Sequence, residues 1–128
     1  MKLLLDTHAV LWFHQESPNL SAIAAQAIED PDNECYVSYG SLWEMAIKSS
    51  LRKLRLPVAL PRFVQKHVVG AGFTLLTIGL DHLTAVSSLP HHHGDPFDRL
   101  LVAQSLSEGW PLVSNESTLE RYGISRVW

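Results

Sequence analysis

Short apolar runs alternate along the chain with segments of helical spacing, and that alternation constrains the fold more than any other feature. Lys2–Leu5 is a compact apolar run closed by Asp6. Ser21–Glu29 is alanine-rich and helical, with Ser21 placed to cap it. The turn signal Pro31-Asp32-Asn33 precedes a second short strand, Cys35–Ser38. Leu42, Met45, Ala46 and Leu51 recur near helical spacing and predict a helix from about Tyr39 to Lys53. Pro57 and Pro61 punctuate the next connection, after which Phe63, Val64, His67 and Val68 suggest another helix. Phe73–Ile78 reads as a third strand and Leu80–Leu89 as a helix. The loop PHHHGDPF then leads into an amphipathic helix, Asp98–Glu108, stopped by Gly109. Leu112–Val113 is a fourth strand, Leu119–Tyr122 a helical turn and Ser125–Val127 a fifth strand. Strands alternating with helices mean an α/β domain around a largely parallel sheet. No repeat, linker or low-complexity tract divides residues 1–128, so one domain is expected.

Composition narrows the function classes. A chain of 128 residues, 46% of them hydrophobic, is too apolar to be disordered. Ten Lys and Arg against thirteen Asp and Glu give a net charge of -3. That argues against coating nucleic acid by overall charge and leaves room only for a local basic patch. Arg52, Lys53, Arg55, Arg62 and Lys66 form such a stretch, either a solvated face or a contact for an RNA backbone. Cys35 is alone, so no internal disulfide forms and a reducing, cytoplasmic compartment is expected. No stretch approaches the ~18 apolar residues of a membrane span. Asp6 and His8 interrupt the signal-like start, and no small-residue cleavage site follows, so a soluble, unexported protein is expected. The charged fraction is only 18%, and the chain has four tryptophans, which points to apolar surface committed to a partner. Trp12, Phe13, Trp43 and Trp110 either anchor that partner or pack in the core.

Parallel sheets place ligand sites at the carboxyl ends of their strands, and the acids concentrate there. Asp6 ends the first strand, Glu116 follows the fourth by three residues, and Glu44 lies early in the helix after the second. Asp98 opens the helix leading into the fourth strand, with Asp95 three residues before it. Carboxylates gathered without matching cations repel one another and call for neutralisation. Mg²⁺ or Mn²⁺ supplies it through oxygen ligands, which suggests metal-assisted phosphodiester hydrolysis. Each acid also has a structural alternative. Asp98 favours a helix N-terminus, and Asp95 is a turn residue before Pro96. Glu44 completes a capping box from Ser41 and stands four residues before Lys48. Glu116 is an ordinary first-turn acid, capped by Ser114 or Asn115. Asp6 has the weakest alternative, because a strand end inside an apolar run suits an unpaired carboxylate poorly. His91-His92-His93 lacks the cysteine partners and spacing of a structural zinc site and reads as a loop near the acids. GxGxxG, Walker A, GxSxG and CxxC sequences are absent.

The segments LLLDTHAVLWF, SLWEMAIKSSLRKLRLP, LPHHHGDPFDRLLVAQSL and LVSNESTLERYG, in that order, resemble the PIN domain, most closely its VapC-type toxins. The resemblance implies a five-stranded parallel sheet in the order 3-2-1-4-5 with helices on both faces. It implies a Mg²⁺- or Mn²⁺-dependent endoribonuclease, usually dimeric and held inactive by a small antitoxin. By position, Asp6, Glu44 and Asp98 match the three principal acids, and Ser114 matches a hydroxyl residue supporting the first. Glu116 stands where a fourth acid, usually Asp, is found. Gly94 stands where many relatives carry Arg, which removes a phosphate contact. Two other functions stay open at this point: a nuclease of RNA maturation or DNA processing, and a catalytically silent interaction module.

Overall fold

The computed structural model describes residues 1–128. Five parallel strands form one sheet in the order β3-β2-β1-β4-β5. They are β1 (Lys2–Leu5), β2 (Glu34–Ser38), β3 (Thr74–Leu76), β4 (Leu112–Val113) and β5 (Arg126–Val127). Strand β1 is central, pairing Leu5 with Val37 of β2 on one side and with Val113 of β4 on the other. Its three leucines are all buried, Leu3 and Leu5 in one core cluster and Leu4 in a second. Period-two alternation divides them between the two faces, and helices cover both, which is why the run is continuously apolar. On the first face Leu3 and Leu5 meet Val10, Met45, Phe63 and Val68, and on the second Leu4 meets Leu101, Val102 and Leu119.

The helices are α1 (Thr7–His14), α2 (Ala22–Glu29), α3 (Tyr39–Ser50), α4 (Leu60–Phe63), α5 (Leu80–Ser88) and α6 (Pro96–Glu108). Two shorter helical segments complete the chain, a π-helical turn over Val64–Val69 and a 3₁₀ turn over Ser117–Tyr122. Helix α1 is not signalled by periodicity, because THAVLWFH is apolar nearly throughout and rich in residues of modest helix propensity. A local mark does exist: Asp6 immediately precedes it and accepts the Ala9 N–H at 2.7 Å as N-cap.

Several boundaries differ from expectation for identifiable reasons. Helix α3 stops at Ser50 rather than Lys53, since Arg52 turns to a φ of +58° and breaks the helical path. Its cap is Ser38, which accepts the Gly40 N–H at 3.0 Å, so the box from Ser41 to Glu44 that the sequence offered as an alternative does not form. The apolar segment around Phe63 continues as a π turn, with Gly70 N–H donating to Gln65 O at 2.9 Å. Helix α6 starts two residues before Asp98, with Asp95 as cap accepting the Phe97 and Asp98 amides at 2.8 and 3.1 Å. Gly109 ends it at a φ of +74°, the left-handed geometry that glycine adopts freely. No helix is long and apolar enough to cross a membrane.

Candidate active site

The strand order reverses at β1, so the connections leaving β1 and β4 diverge and open a crevice at their carboxyl ends. The sequence places Asp6 immediately after β1 and Ser114 immediately after β4, and the Asp6 N–H donates to Val113 O at 3.0 Å. The crevice is a cavity of about 360 Å³ lined by Asp6, Glu44, Asp95, Asp98 and Glu116, with His8, Trp12 and Lys48 at its wall. Four separate segments thus deliver five carboxylates to one space. The one lysine there, Lys48, is bonded to Glu44 Oε2, which holds its ammonium above the ordinary lysine range.

Each acid is held differently. Asp6 is buried, and burial pushes its carboxyl up against the opposing Ala9 N–H, the Ser114 hydroxyl and His8. Ser114 is fully buried and accepts the Glu116 N–H at 3.1 Å, tying the end of β4 to the acid two residues on. Glu44 accepts the Thr7 hydroxyl at 2.6 Å on its other oxygen. Asp98 Oδ2 lies 2.9 Å from His93 Nε2. Burial and the neighbouring Asp95 raise the Asp98 carboxyl to about 6, against the opposing pull of His93. Glu116 is itself the cap of the 3₁₀ turn, accepting from the Thr118 hydroxyl at 2.7 Å, so neither Ser114 nor Asn115 fills that role. That bond and the Thr118 N–H hold its carboxyl below the usual range.

Asp6, Glu44, Asp98 and Glu116 are therefore brought together, with Ser114 beneath Asp6 and Asp95 joining them. His93 touches Asp98, while His91 and His92 are exposed. None of Arg52, Lys53, Arg55, Arg62 and Lys66 lines the cavity, and all five are exposed. Trp43 is 60% exposed and packs edge-on to Phe97, whereas Phe13 packs on Phe73 and Trp110 on Tyr36.

Thr7 and the pair Arg99–Tyr122 were not apparent from sequence as site-building residues. Thr7 adjoins Asp6 in sequence, which is the only local hint of its place. Arg99 is buried without a carboxylate partner, donating to Pro90 O at 2.8 Å, Leu89 O at 3.3 Å and Tyr122 Oη at 3.0 Å. Tyr122 Oη also accepts the His93 N–H at 2.9 Å. These bonds fix the loop that presents His93 to Asp98. Tyr122→Phe is expected to cost about 1–3 kcal/mol by leaving buried donors without an acceptor, read as a lower urea midpoint. An unchanged midpoint would mean that the loop is held by other contacts.

Asp81, His82 and Glu108 offer ligand atoms within 4.8 Å of one another, away from the cavity. His82 Nδ1 accepts the Gly79 N–H at 3.0 Å, so the ring proton sits on Nε2 and is donated to Glu108 at 2.8 Å. Nδ1 thus caps α5 and also meets the Gln104 amide of α6 at 3.3 Å, while Nε2 ties α5 to Glu108 of α6, so both nitrogens are engaged.

The PIN domain profile matches residues 3–124. The chain belongs to the PIN domain family. The resemblance to its VapC branch is borne out by 33% identity over 132 residues to Ribonuclease VapC22 of Mycobacterium tuberculosis (strain ATCC 25618 / H37Rv), with 98% of each chain covered. The fold matches VapBC2 from Rickettsia felis, solved bound to a DNA fragment from their promoter, with a TM-score of 0.73 at 13% identity. That match covers 98% of this chain and 97% of the other. VapBC-1 from nontypeable Haemophilus influenzae matches with a TM-score of 0.68 at 14% identity, covering 98% and 96%. These two likenesses are of fold. The PIN sheet order expected from the sequence is the one observed.

Proposed function

We propose that residues 1–128 form one PIN domain that is a metal-dependent endoribonuclease, the toxin of a cytoplasmic toxin–antitoxin pair. The observation that carries the reading is five carboxylates around one cavity with a single lysine among them. Two of the five, Asp6 and Glu44, are buried and the other three are half-buried, and such an excess of negative charge suits a hard cation. The all-oxygen donor set fits Mg²⁺ or Mn²⁺, and the cavity leaves room for the waters that Mg²⁺ retains. Asp6, Asp98, Glu44 and Glu116 would hold the metal. A hard divalent ion bound there would polarise the phosphodiester and acidify a bound water.

The chain's own residues pre-organise those oxygens. The cap bond to Ala9 and the Ser114 hydroxyl fix the Asp6 carboxylate, as Thr7 and Lys48 fix Glu44. His93 fixes one oxygen of Asp98. The likeness to a ribonuclease supports RNA as substrate, and the VapBC complexes support an antitoxin partner. A basic antitoxin residue entering the cavity would pair with the same carboxylates. A homodimer is proposed from the family resemblance alone.

The direct test is cleavage of RNA by the purified chain with Mg²⁺ or Mn²⁺. Cleavage is expected, lost with EDTA and restored by excess metal. Cleavage that persists in EDTA, or no cleavage together with no metal uptake, would sink the reading and leave a silent interaction module.

Glu116 is the acid nearest to a purely structural role, because its carboxylate already caps a turn. Glu116→Gln is expected to lower cleavage less than Asp6→Asn does, and Glu116→Asp to preserve or raise it. Wild-type cleavage in Glu116→Gln, alongside a lower melting temperature, would remove Glu116 from the site.

A further inference from the structure

We propose that the stacked rings of His8 and Trp12, backed by Trp128, are a nucleobase-binding wall, taking the unpaired base beside the phosphodiester that is cut. This deepens the ribonuclease reading and rests on it. Trp12 is the one hydrophobic residue among the ten that line the acidic cavity. His8 stacks on it with centroids 5.1 Å apart and planes 20° from parallel, and Trp128 packs against it at 5.9 Å. The two α1 residues are four apart and so share a helix face. His8 is the exposed end of the stack, and Trp12 is half-buried between its neighbours. Trp12 is therefore held between two rings before any ligand arrives. Through the first turn of α1 the wall is also joined to Asp6, the cap of the same helix.

The chemistry of the cavity says which part of RNA this wall receives. Without metal the five carboxylates repel a phosphodiester, and Lys48 is already committed to Glu44, so the side chains by themselves offer the RNA backbone no free cation there. A nucleobase is neutral and has a π face, so it gains binding from the rings whether or not metal neutralises the acids. Base stacking on an aromatic ring is sequence-tolerant and contributes roughly tenfold in affinity per base. In duplex RNA the bases are stacked on one another and not presented. The substrate class that fits is single-stranded RNA with a splayed base next to the scissile phosphate.

The test is steady-state cleavage of a short single-stranded RNA by the full chain with Mn²⁺. His8→Ala is expected to raise KM about tenfold with kcat within about twofold, the signature of lost binding common to ground and transition states. His8→Phe keeps a ring without the imidazole's nitrogens and should restore KM. Trp12→Ala should behave as His8→Ala, but Trp12 packs on Trp128, so the exposed His8 carries the decision. Replacing the flanking nucleotide by an abasic one should cost the wild type about tenfold and His8→Ala nothing further. An unchanged KM in His8→Ala, a failure of His8→Phe to rescue, or equal abasic losses in both proteins would overturn the wall. Failure of rescue would instead assign His8 a polar contact with the RNA. Should the wild type cut no RNA, the ribonuclease reading falls, and the wall is judged by fluorescence anisotropy of the labelled RNA alone. There His8→Ala should bind about tenfold more weakly and His8→Phe normally, and equal binding of all three would overturn it.

Discussion

Asp6→Asn is expected to reduce metal-dependent RNA cleavage at least about a hundredfold while leaving the melting temperature equal or higher. Burial raises the Asp6 carboxyl, so its charged form destabilises the fold in the absence of metal. Asparagine removes that charge. It also remains a good N-cap, able to accept the Ala9 N–H that now bonds to Oδ1. The variant therefore separates the capping of α1, which the side chain performs, from the metal binding proposed for it. Cleavage and thermal melts on the same preparation check it. A folded Asp6→Asn protein that cuts RNA at the wild-type rate would refute the metal assignment, and a collapsed melt would show that the charge itself sustains α1.

Mn²⁺ is expected to raise the melting temperature by about 10 °C at a hundredfold excess over its dissociation constant. Mass action at that excess contributes about 2.7 kcal/mol, and a domain of this length shifts by several degrees per kcal/mol. The shift should largely vanish in Asp98→Asn; an equal shift in both proteins would place the metal elsewhere, with Asp81, His82 and Glu108 the first alternative. The pH dependence has a definite sign. The Asp98 carboxyl sits at about 6 in the folded chain, above its ordinary 3.8. Without metal, the folded state binds the proton more tightly than the unfolded one, so stability rises as pH falls from above about 6 towards about 4. Metal binding needs the ionised form, so the Mn²⁺-induced shift should shrink between about pH 7.5 and about pH 5. Melts with and without Mn²⁺ across that range check both signs, and a shift independent of pH would remove Asp98 from the ligand set.

The acids themselves were legible in the chain because each lies beside a recognisable element. Asp6 closes an apolar run, Glu44 follows a short strand, and Asp98 sits beside a Pro-containing helix start. Their structural alternatives could be separated only by geometry. The structural alternative for Glu44 had Ser41 capping towards it, yet the Ser41 hydroxyl is buried without a partner and Ser38 caps α3. Asp95 and Glu116 both proved to be caps that also line the cavity, so the two readings of an acid were not exclusive.

By itself the sequence determined the α/β class, the strands and most of the helices, because these depend on local periodicity, turn residues and caps that neighbours in the chain supply. The same local signals located the acids at strand and helix ends. Which side chains meet was decided only by the tertiary structure. The burial of β1 on both faces and the chain reversal at its end bring Asp6, Glu44, Asp98 and Glu116 into one cavity from segments distant in sequence. The same packing makes a helix of THAVLWFH, sets Arg99 and Tyr122 behind the histidine loop, and gives Asp98 its raised carboxyl. Desolvation and like-charge proximity are properties of three-dimensional neighbourhoods, and no spacing along the chain encodes them.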